Sequence, residues 1–259
     1  MDRHKDFKSY VALKEKIFTN QTQSDFLILN QDDPITRDMG KDCPAKRILF
    51  SAQTEQGVFL RENKIIARLQ DDEEEIVSLE SLSKGMQWQV ENILPAIAVA
   101  LLLKIPKEAI LQALNKFTGL EHRLEWVRAL NGIDFINDSK GTNVGSVCKS
   151  LNTFDRPIIL IAGGKDKETD FSPLKPVMKE KVKHLILIGE TQKKFKGILN
   201  GSFGYEESHS MEEAVLLAKA KAENGDIILL SPACASFDMF KDYEDRGNRF
   251  KTIVKNLQG

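Results

Sequence analysis

Four short runs of consecutive apolar residues constrain this chain more than any other feature. They are Ile133–Ile136, Pro157–Ala162, Leu185–Ile188 and Ile227–Leu230. A strand that is apolar at every position, rather than at alternate ones, is covered on both faces. That is the signature of a parallel sheet with helices on either side. Helical patterns fall between the runs, beginning at Val144 and spanning Met211–Ala222, where Met211, Ala214, Val215 and Ala218 share a face. The tail Phe237–Leu257 also reads as helical, with room for an interruption. Strand and helix alternating over this length predict a doubly wound, Rossmann-like domain.

The loops after three of these strands share a character. Asn137-Asp138-Ser139-Lys140-Gly141-Thr142-Asn143, Gly163-Gly164-Lys165-Asp166-Lys167 and Ser231-Pro232-Ala233-Cys234-Ala235-Ser236 are polar and bear glycine or serine. In a parallel sheet they all emerge at the carboxyl edge, where ligands bind. Glycines let backbone N–H groups approach an anion, and Lys140 and Lys167 add positive charge, so the expected ligand is a small anion. No GxGxxG fingerprint follows a strand, which disfavours NAD.

The first half reads differently. Phe7–Phe18 has a helical apolar stripe (Phe7, Tyr10, Val11, Phe18) that also carries Lys14, which predicts a lysine on a buried face. Phe26–Asn30 is a short strand that runs into a loop ended by Pro34. Arg47–Phe50 is another strand. Val58–Arg61 and Lys64–Ala67 form a hairpin about Glu62-Asn63. The acidic run Asp71–Glu75 reads as a solvated loop. Val90–Lys104 is a strong helix, and Pro106 then stands where the first residue of a second helix belongs.

Composition removes other classes. The 37 basic and 38 acidic side chains leave no cationic excess for nucleic acid or a membrane surface. The longest apolar run, Ile93–Leu103, is far short of the ~20 residues that cross a bilayer. The start of the chain has no signal-peptide core. Three widely spaced cysteines form no CxxC pair, so the expectation is reduced thiols rather than zinc or a disulfide framework.

Taken in order, several blocks resemble one family. These are Asp2-Arg3-His4, Tyr10–Phe18, Asn30–Pro34 and Phe117-Thr118-Gly119-Leu120-Glu121-His122-Arg123. The three carboxyl-edge loops follow, then Tyr243-Glu244-Asp245-Arg246-Gly247-Asn248-Arg249-Phe250. Together they resemble the Mur ligases of peptidoglycan synthesis, and most closely the D-glutamate-adding branch. The resemblance implies an α/β chain with part of a central ATPase domain at residues 1–118. A Rossmann-like, mostly parallel C-terminal glutamate-ligase domain follows at residues 119–259.

It also implies a monomeric, cytoplasmic, ATP-dependent carbon–nitrogen ligase that uses magnesium. Such an enzyme adds D-glutamate to UDP-N-acetylmuramoyl-L-alanine through an acyl phosphate. Lys14 matches the lysine that is carbamylated and serves the metal. Asn30, Arg123 and Asp138 match nucleotide contacts. Lys140, Thr142 and Lys167 match the reaction centre, and Ser236, Phe237 and Tyr243 the pocket for the D-glutamate side chain. The branch often has leucine and phenylalanine at positions 237 and 243.

Two departures from the family pattern follow. Trp88-Gln89 replace a usual His-Asn pair, and the chain contains no GxxxxGK[ST] phosphate loop. The chain alone is therefore expected to be inactive, as the central and C-terminal part of a longer ligase. The alternative is a noncatalytic module that keeps only binding edges.

Overall fold

The computed structural model describes residues 6–69, 72–199 and 204–258. Asp2, Arg3 and His4 of the family-like start, and Asp71 of the acidic run, lie outside the described residues. The chain divides into two compact units, Met1–Thr118 and Gly119–Gly259.

In the first unit, helix α1 (Phe7–Glu15) begins at Asp6, whose carboxylate accepts the Ser9 N–H. Strand β1 (Phe26–Asn30) leads to α2 (Pro34–Asp38), which Asp33 caps and Pro34 opens. Strands β2 (Lys46–Ser51), β3 (Gly57–Arg61), β4 (Lys64–Arg68) and β5 (Glu74–Ser78) complete a five-stranded sheet in chain order. Its first three strands run parallel and its last two antiparallel. The hairpin at Glu62-Asn63 is present. Both residues take left-handed φ values, 47° and 63°, and such a turn matches the twist of the paired strands.

Helices α3 (Lys84–Gln87), α4 (Val90–Leu102) and α5 (Lys107–Lys116) follow. Leu94 and Ile97 of α4, with Ile110 and Leu114 of α5, share a core with Ile48, Val58, Ile65 and Val77.

Three expectations need correction in this unit. The acidic run is not all loop, because Glu74 and Glu75 belong to β5, where pairing with β4 outweighs local polarity. Pro106 is the residue before α5 rather than its first. Helix α1 buries none of its residues: Phe7 and Leu13 are exposed, and Lys14 with them. An apolar stripe is buried only where another element stands against it.

In the second unit, β6 (Glu125–Leu130) and β7 (Ile133–Asn137) form an antiparallel hairpin about Asn131-Gly132. Next come α6 (Val144–Asn152), β8 (Ile158–Gly163), α7 (Leu174–Lys181), β9 (Val182–Ile188), α8 (Gln192–Leu199), β10 (Tyr205–Glu207), α9 (Met211–Lys221), β11 (Ile227–Leu230) and α10 (Tyr243–Asn256). The sheet order is β10-β9-β8-β11-β7-β6, parallel except at the β6–β7 edge. This is the doubly wound arrangement expected from the apolar runs.

Alternate residues of each central strand point to opposite faces. Ile159, Ile161, Ile186, Ile188, Ile228 and Leu230 meet Met211, Ala214 and Val215 of α9 and Phe250 and Val254 of α10. The other set, including Ile158, Leu160, Leu185, Leu187 and Leu229, is equally buried. Fully burying each such side chain is worth about 1.5–3 kcal/mol. That accounts for continuous apolar runs winning over alternation here.

The last helix starts later than its sequence suggests. Residues 237–242 are turns, and α10 begins at Tyr243 with the Asp242 carboxylate accepting the Asp245 N–H. Among the described residues no helix is long and apolar enough to cross a membrane, and the three cysteines are free thiols.

Candidate functional site

The three loops singled out from the sequence do meet at the carboxyl edge of the second sheet, and backbone hydrogen bonds join them. The Gly163 N–H donates to Pro232 O at 2.9 Å, and the Lys165 N–H to Ala235 O at 2.9 Å, forming an isolated β-bridge. The Ala233 N–H donates to Gly141 O at 2.8 Å. A fourth loop, which sequence reasoning missed, joins them through Thr191. Its N–H donates to Gly164 O and its hydroxyl accepts the Gly164 N–H at 3.1 Å.

Gly164 explains its residue type. Its φ is +144°, and a Cβ there would lie 2.4 Å from Ala235 O. Ala233 takes a left-handed φ of 60° without being glycine, a strain that nothing in the sequence announced.

Within this frame Lys140 is half-buried, with its Nζ 3.6 Å from the centre of the Tyr243 ring, a cation–π contact. The Lys140 N–H donates to His122 O at 3.0 Å. Thr142 is half-buried on the same loop, and Lys167 is exposed on the second. Ser236 is buried on the third loop, while its neighbour Phe237 is 67 % exposed. The structure therefore brings Lys140 and Tyr243 into contact and sets Ser236 on a loop bonded to the Lys165 segment.

The family resemblance makes Asp138 a nucleotide contact. Its carboxylate points inward: Oδ2 accepts the Ser231 hydroxyl at 2.6 Å and the Ser150 hydroxyl at 2.7 Å, and Oδ1 faces the Leu124 N–H at 3.4 Å. Burial pushes its pKa up to about 6, against the serine hydrogen bonds and the nearby Arg123, which pull it down. Arg123 itself is exposed.

His122 is a further residue that sequence reasoning placed only in a motif. It is buried, holds a left-handed φ of 65°, and meets the Tyr243 ring edge-on at 5.9 Å. Asn137 defines its tautomer. The Ser139 N–H donates to Asn137 Oδ1 at 3.1 Å, so the Asn137 amide turns its Nδ2 to Glu125 Oε2 at 2.8 Å and to His122 Nδ1 at 2.9 Å. His122 Nδ1 is thus an acceptor, and the ring is neutral with its proton on Nε2. Burial, then the charge of Lys251, lowers the His122 pKa in agreement. Lys251 in turn pairs with Glu125 at 3.1 Å.

Beside the frame, a cavity of about 380 Å³ opens at the ends of β9 and β10, bordered by Glu190, Ser208, His209 and Asp238. Its two carboxylates make it unsuited to an anion. The four-loop edge, with Lys140 and Lys167 and glycine backbone, is suited to one.

Lys14 and Asn30 belong to the first unit. Asn30 ends β1 half-buried, with its side-chain oxygen accepting the Asp32 N–H at 2.9 Å. Lys14 is exposed, 5.2 Å from the centre of the Tyr10 ring. Among the described residues no group of three or more His, Cys, Asp or Glu side chains stands together as a metal site.

The comparison with known proteins bears on the whole chain. The Mur ligase middle domain matches residues 1–100, and the Mur ligase glutamate ligase domain matches residues 122–234. The chain belongs to the Mur ligase family. It is similar to the UDP-N-acetylmuramoylalanine–D-glutamate ligase of Geotalea uraniireducens, at 42 % identity over 99 % of this chain and 57 % of the relative. It is equally similar, at 42 % identity over 100 % of this chain and 58 % of the relative, to that of Clostridioides difficile. The chain thus spans a little under three-fifths of the length of these Mur ligases.

Among solved structures, a pseudomurein peptide ligase type C from Methanothermus fervidus shares the fold. Its TM-score is 0.69 at 18 % identity, over 98 % of this chain and 60 % of that one. A Mycobacterium tuberculosis folylpolyglutamate synthase does so at 0.65 and 12 %, over 100 % of this chain and 62 % of that one.

Proposed function

We propose that this chain carries the amino-acid-adding part of an ATP-dependent ligase that joins D-glutamate to UDP-N-acetylmuramoyl-L-alanine in the cytoplasm. ATP supplies the phosphoryl group that converts the substrate carboxylate to an acyl phosphate. The amine of D-glutamate then attacks the acyl carbon and phosphate leaves. The residues here have the task of holding a dicarboxylate and steadying the negative charge that grows on the acyl oxygen.

The observation that supports this reading most is the frame of loops at the carboxyl edge. Lys140 over Tyr243, Lys167, Thr142 and Ser236 all stand on or beside loops that bond to one another. In this reading Lys167 and Ser236 take the side-chain carboxylate, with N–H groups near Phe237, and Phe237 and Tyr243 wall the pocket. Lys140 and Thr142 face the reacting groups. Arg123 meets the nucleotide phosphate with Asp138 bracing the loop behind it, and Asn30 meets adenine. Lys14, as a carbamate in the complete enzyme, serves the magnesium site.

The test is a titration of the chain with D-glutamate, followed through backbone amide shifts in NMR, with L-glutamate as control. Saturable shifts confined to residues 139–143, 163–167 and 231–237, and stronger for the D isomer, are expected. Absence of any D-glutamate shift at these loops would end the assignment of the subsite.

A further inference from the structure

Among the described residues the largest fully buried side chain is a charged one, Arg246, at 0 % exposure. It enters the frame from the first turn of α10 and spends its donors on two loops. Nε donates to Ser139 Oγ at 2.9 Å and Nη2 to Ser139 O at 2.8 Å. Nη1 donates to Cys234 O at 3.2 Å and Ala235 O at 3.4 Å. The Ser139 hydroxyl, having accepted from the arginine, donates to Tyr243 O at 2.7 Å. Ser139 precedes Lys140, and Ala235 precedes Ser236. One side chain therefore grips the residue before each of two proposed substrate groups. The third loop packs on the same place, since a Cβ on Gly164 would lie 3.4 Å from Nη1.

None of these acceptors is a carboxylate. A buried guanidinium that bonds only carbonyls and a hydroxyl is costly to desolvate, and burial lowers the Arg246 pKa to about 10. If cohesion of the fold were the whole purpose, an apolar side chain of similar volume would serve as well or better. An apolar chain lacks the rigid planar fork that reaches two loops at once, and a lysine lacks it too.

The geometry points to Arg246 as a positioning residue that sets the spacing between Lys140 and Ser236. This rests on the reading of the carboxyl edge as the amino-acid subsite. Arg246 itself touches no substrate. It acts through the backbone of the two loops, and the Tyr243 carbonyl ties its action to the ring under Lys140.

Hydrogen exchange on the 259-residue chain, read by NMR for Arg246→Lys and Ser139→Ala, tests this. The reporters are the amides of Lys140, Ala233 and Lys165, whose acceptors are His122 O, Gly141 O and Ala235 O. Leu160 and Leu229, on central strands, are the controls. Arg246→Lys keeps the charge but loses the fork, and is expected to speed exchange at the reporters about tenfold with the controls unchanged. Ser139→Ala removes the acceptor of Nε and the bond to Tyr243 O but keeps the three carbonyls that Arg246 also bonds, so about threefold is expected at the same amides. It carries the test if the lysine variant does not fold.

D-glutamate affinity should weaken about tenfold in Arg246→Lys as Lys140 and Ser236 lose their spacing. Reporter amides that exchange as in the wild type would overturn the proposal. So would reporters and controls accelerating together by one factor, because that is loss of stability alone. Wild-type protein that binds no D-glutamate would defeat the subsite reading instead, and the exchange rates would still decide whether Arg246 holds the loops.

Discussion

Replacing Asp138 by asparagine should change the pH dependence of stability in a way that can be worked out from its surroundings. In the unfolded chain this carboxyl titrates near its ordinary value of 3.8, and in the folded unit at about 6. Between those values the native state holds a proton that the unfolded state has released, so stability falls as pH rises. The stabilising contribution is complete below the unfolded value and gone above the folded one. A shift of about two units corresponds to about 3 kcal/mol.

Asparagine does not titrate, and its amide oxygen can take the place of Oδ2 between the Ser150 and Ser231 hydroxyls. Its NH2 would then face the Leu124 N–H, which Oδ1 meets at 3.4 Å, a donor–donor contact worth about 1 kcal/mol of destabilisation. D138N is accordingly expected to be about 1 kcal/mol less stable than wild type at pH 2.5 and about 2 kcal/mol more stable at pH 7.5. Urea unfolding at several pH values, followed by Trp126 fluorescence in a Trp88→Phe background, isolates the second unit. The difference between the two proteins at each pH cancels other titrating groups, His122 included. A flat difference would refute the reasoning. A slope of opposite sign would mean that Arg123 and the serines outweigh desolvation and that Asp138 is ionised throughout.

Further changes test the rest of the site. Lys167→Ala should weaken D-glutamate binding about tenfold, the loss of one charge-assisted contact, and calorimetry giving an unchanged constant would remove Lys167 from the pocket. Tyr243→Phe should leave D-glutamate affinity within about twofold, whereas Tyr243→Leu removes the ring beneath Lys140 and should weaken it about fivefold; equal effects would show that the ring face is not what matters. Gly247→Ala should lower the melting temperature despite alanine's better helix propensity. Its Cβ would lie 2.3 Å from His122 Nδ1 and 3.1 Å from Asn137 Nδ2, and such overpacking costs about 1–3 kcal/mol. A melting temperature equal to or above wild type would show that His122 moves aside freely.

What could be read from the sequence was whatever a local pattern carries. The central strands of the second sheet announced themselves because burial on both faces leaves no polar position, and the turn at Glu62-Asn63 because a short polar pair separates two β-rich runs. Strands β6 and β10 were missed because edge strands are half-polar; β6 buries no residue fully and its pairing shifts at a bulge, and β10 has only three residues. The carboxyl-edge loops were legible as sites, since glycine, serine and lysine after apolar strands have few other uses.

What bound those loops to one another was not legible. Thr191, His122, Ser150 and Arg246 act through contacts across long sequence separations, up to 107 residues for Arg246 and Ser139. Nothing within a short window distinguishes such an arginine from one on the exposed face of a helix. The orientation of Lys14 was misjudged for a related reason: periodicity specifies which residues share a face, and says nothing of whether a neighbour covers it.

The antiparallel bridge between Lys165 and Ala235, and the bond from Gly163 at the end of β8 to Pro232, tie the two loops to each other past the end of β11. The backbone around the subsite is thereby ordered when the domain folds. A free amino acid is a small ligand with few atoms to contribute, and it could not easily meet the entropy of ordering several loops at the moment of binding. On this architecture D-glutamate would meet a surface already in shape. Its binding should therefore show a small change in heat capacity and little loss of conformational entropy in the protein, as for a receptor already ordered.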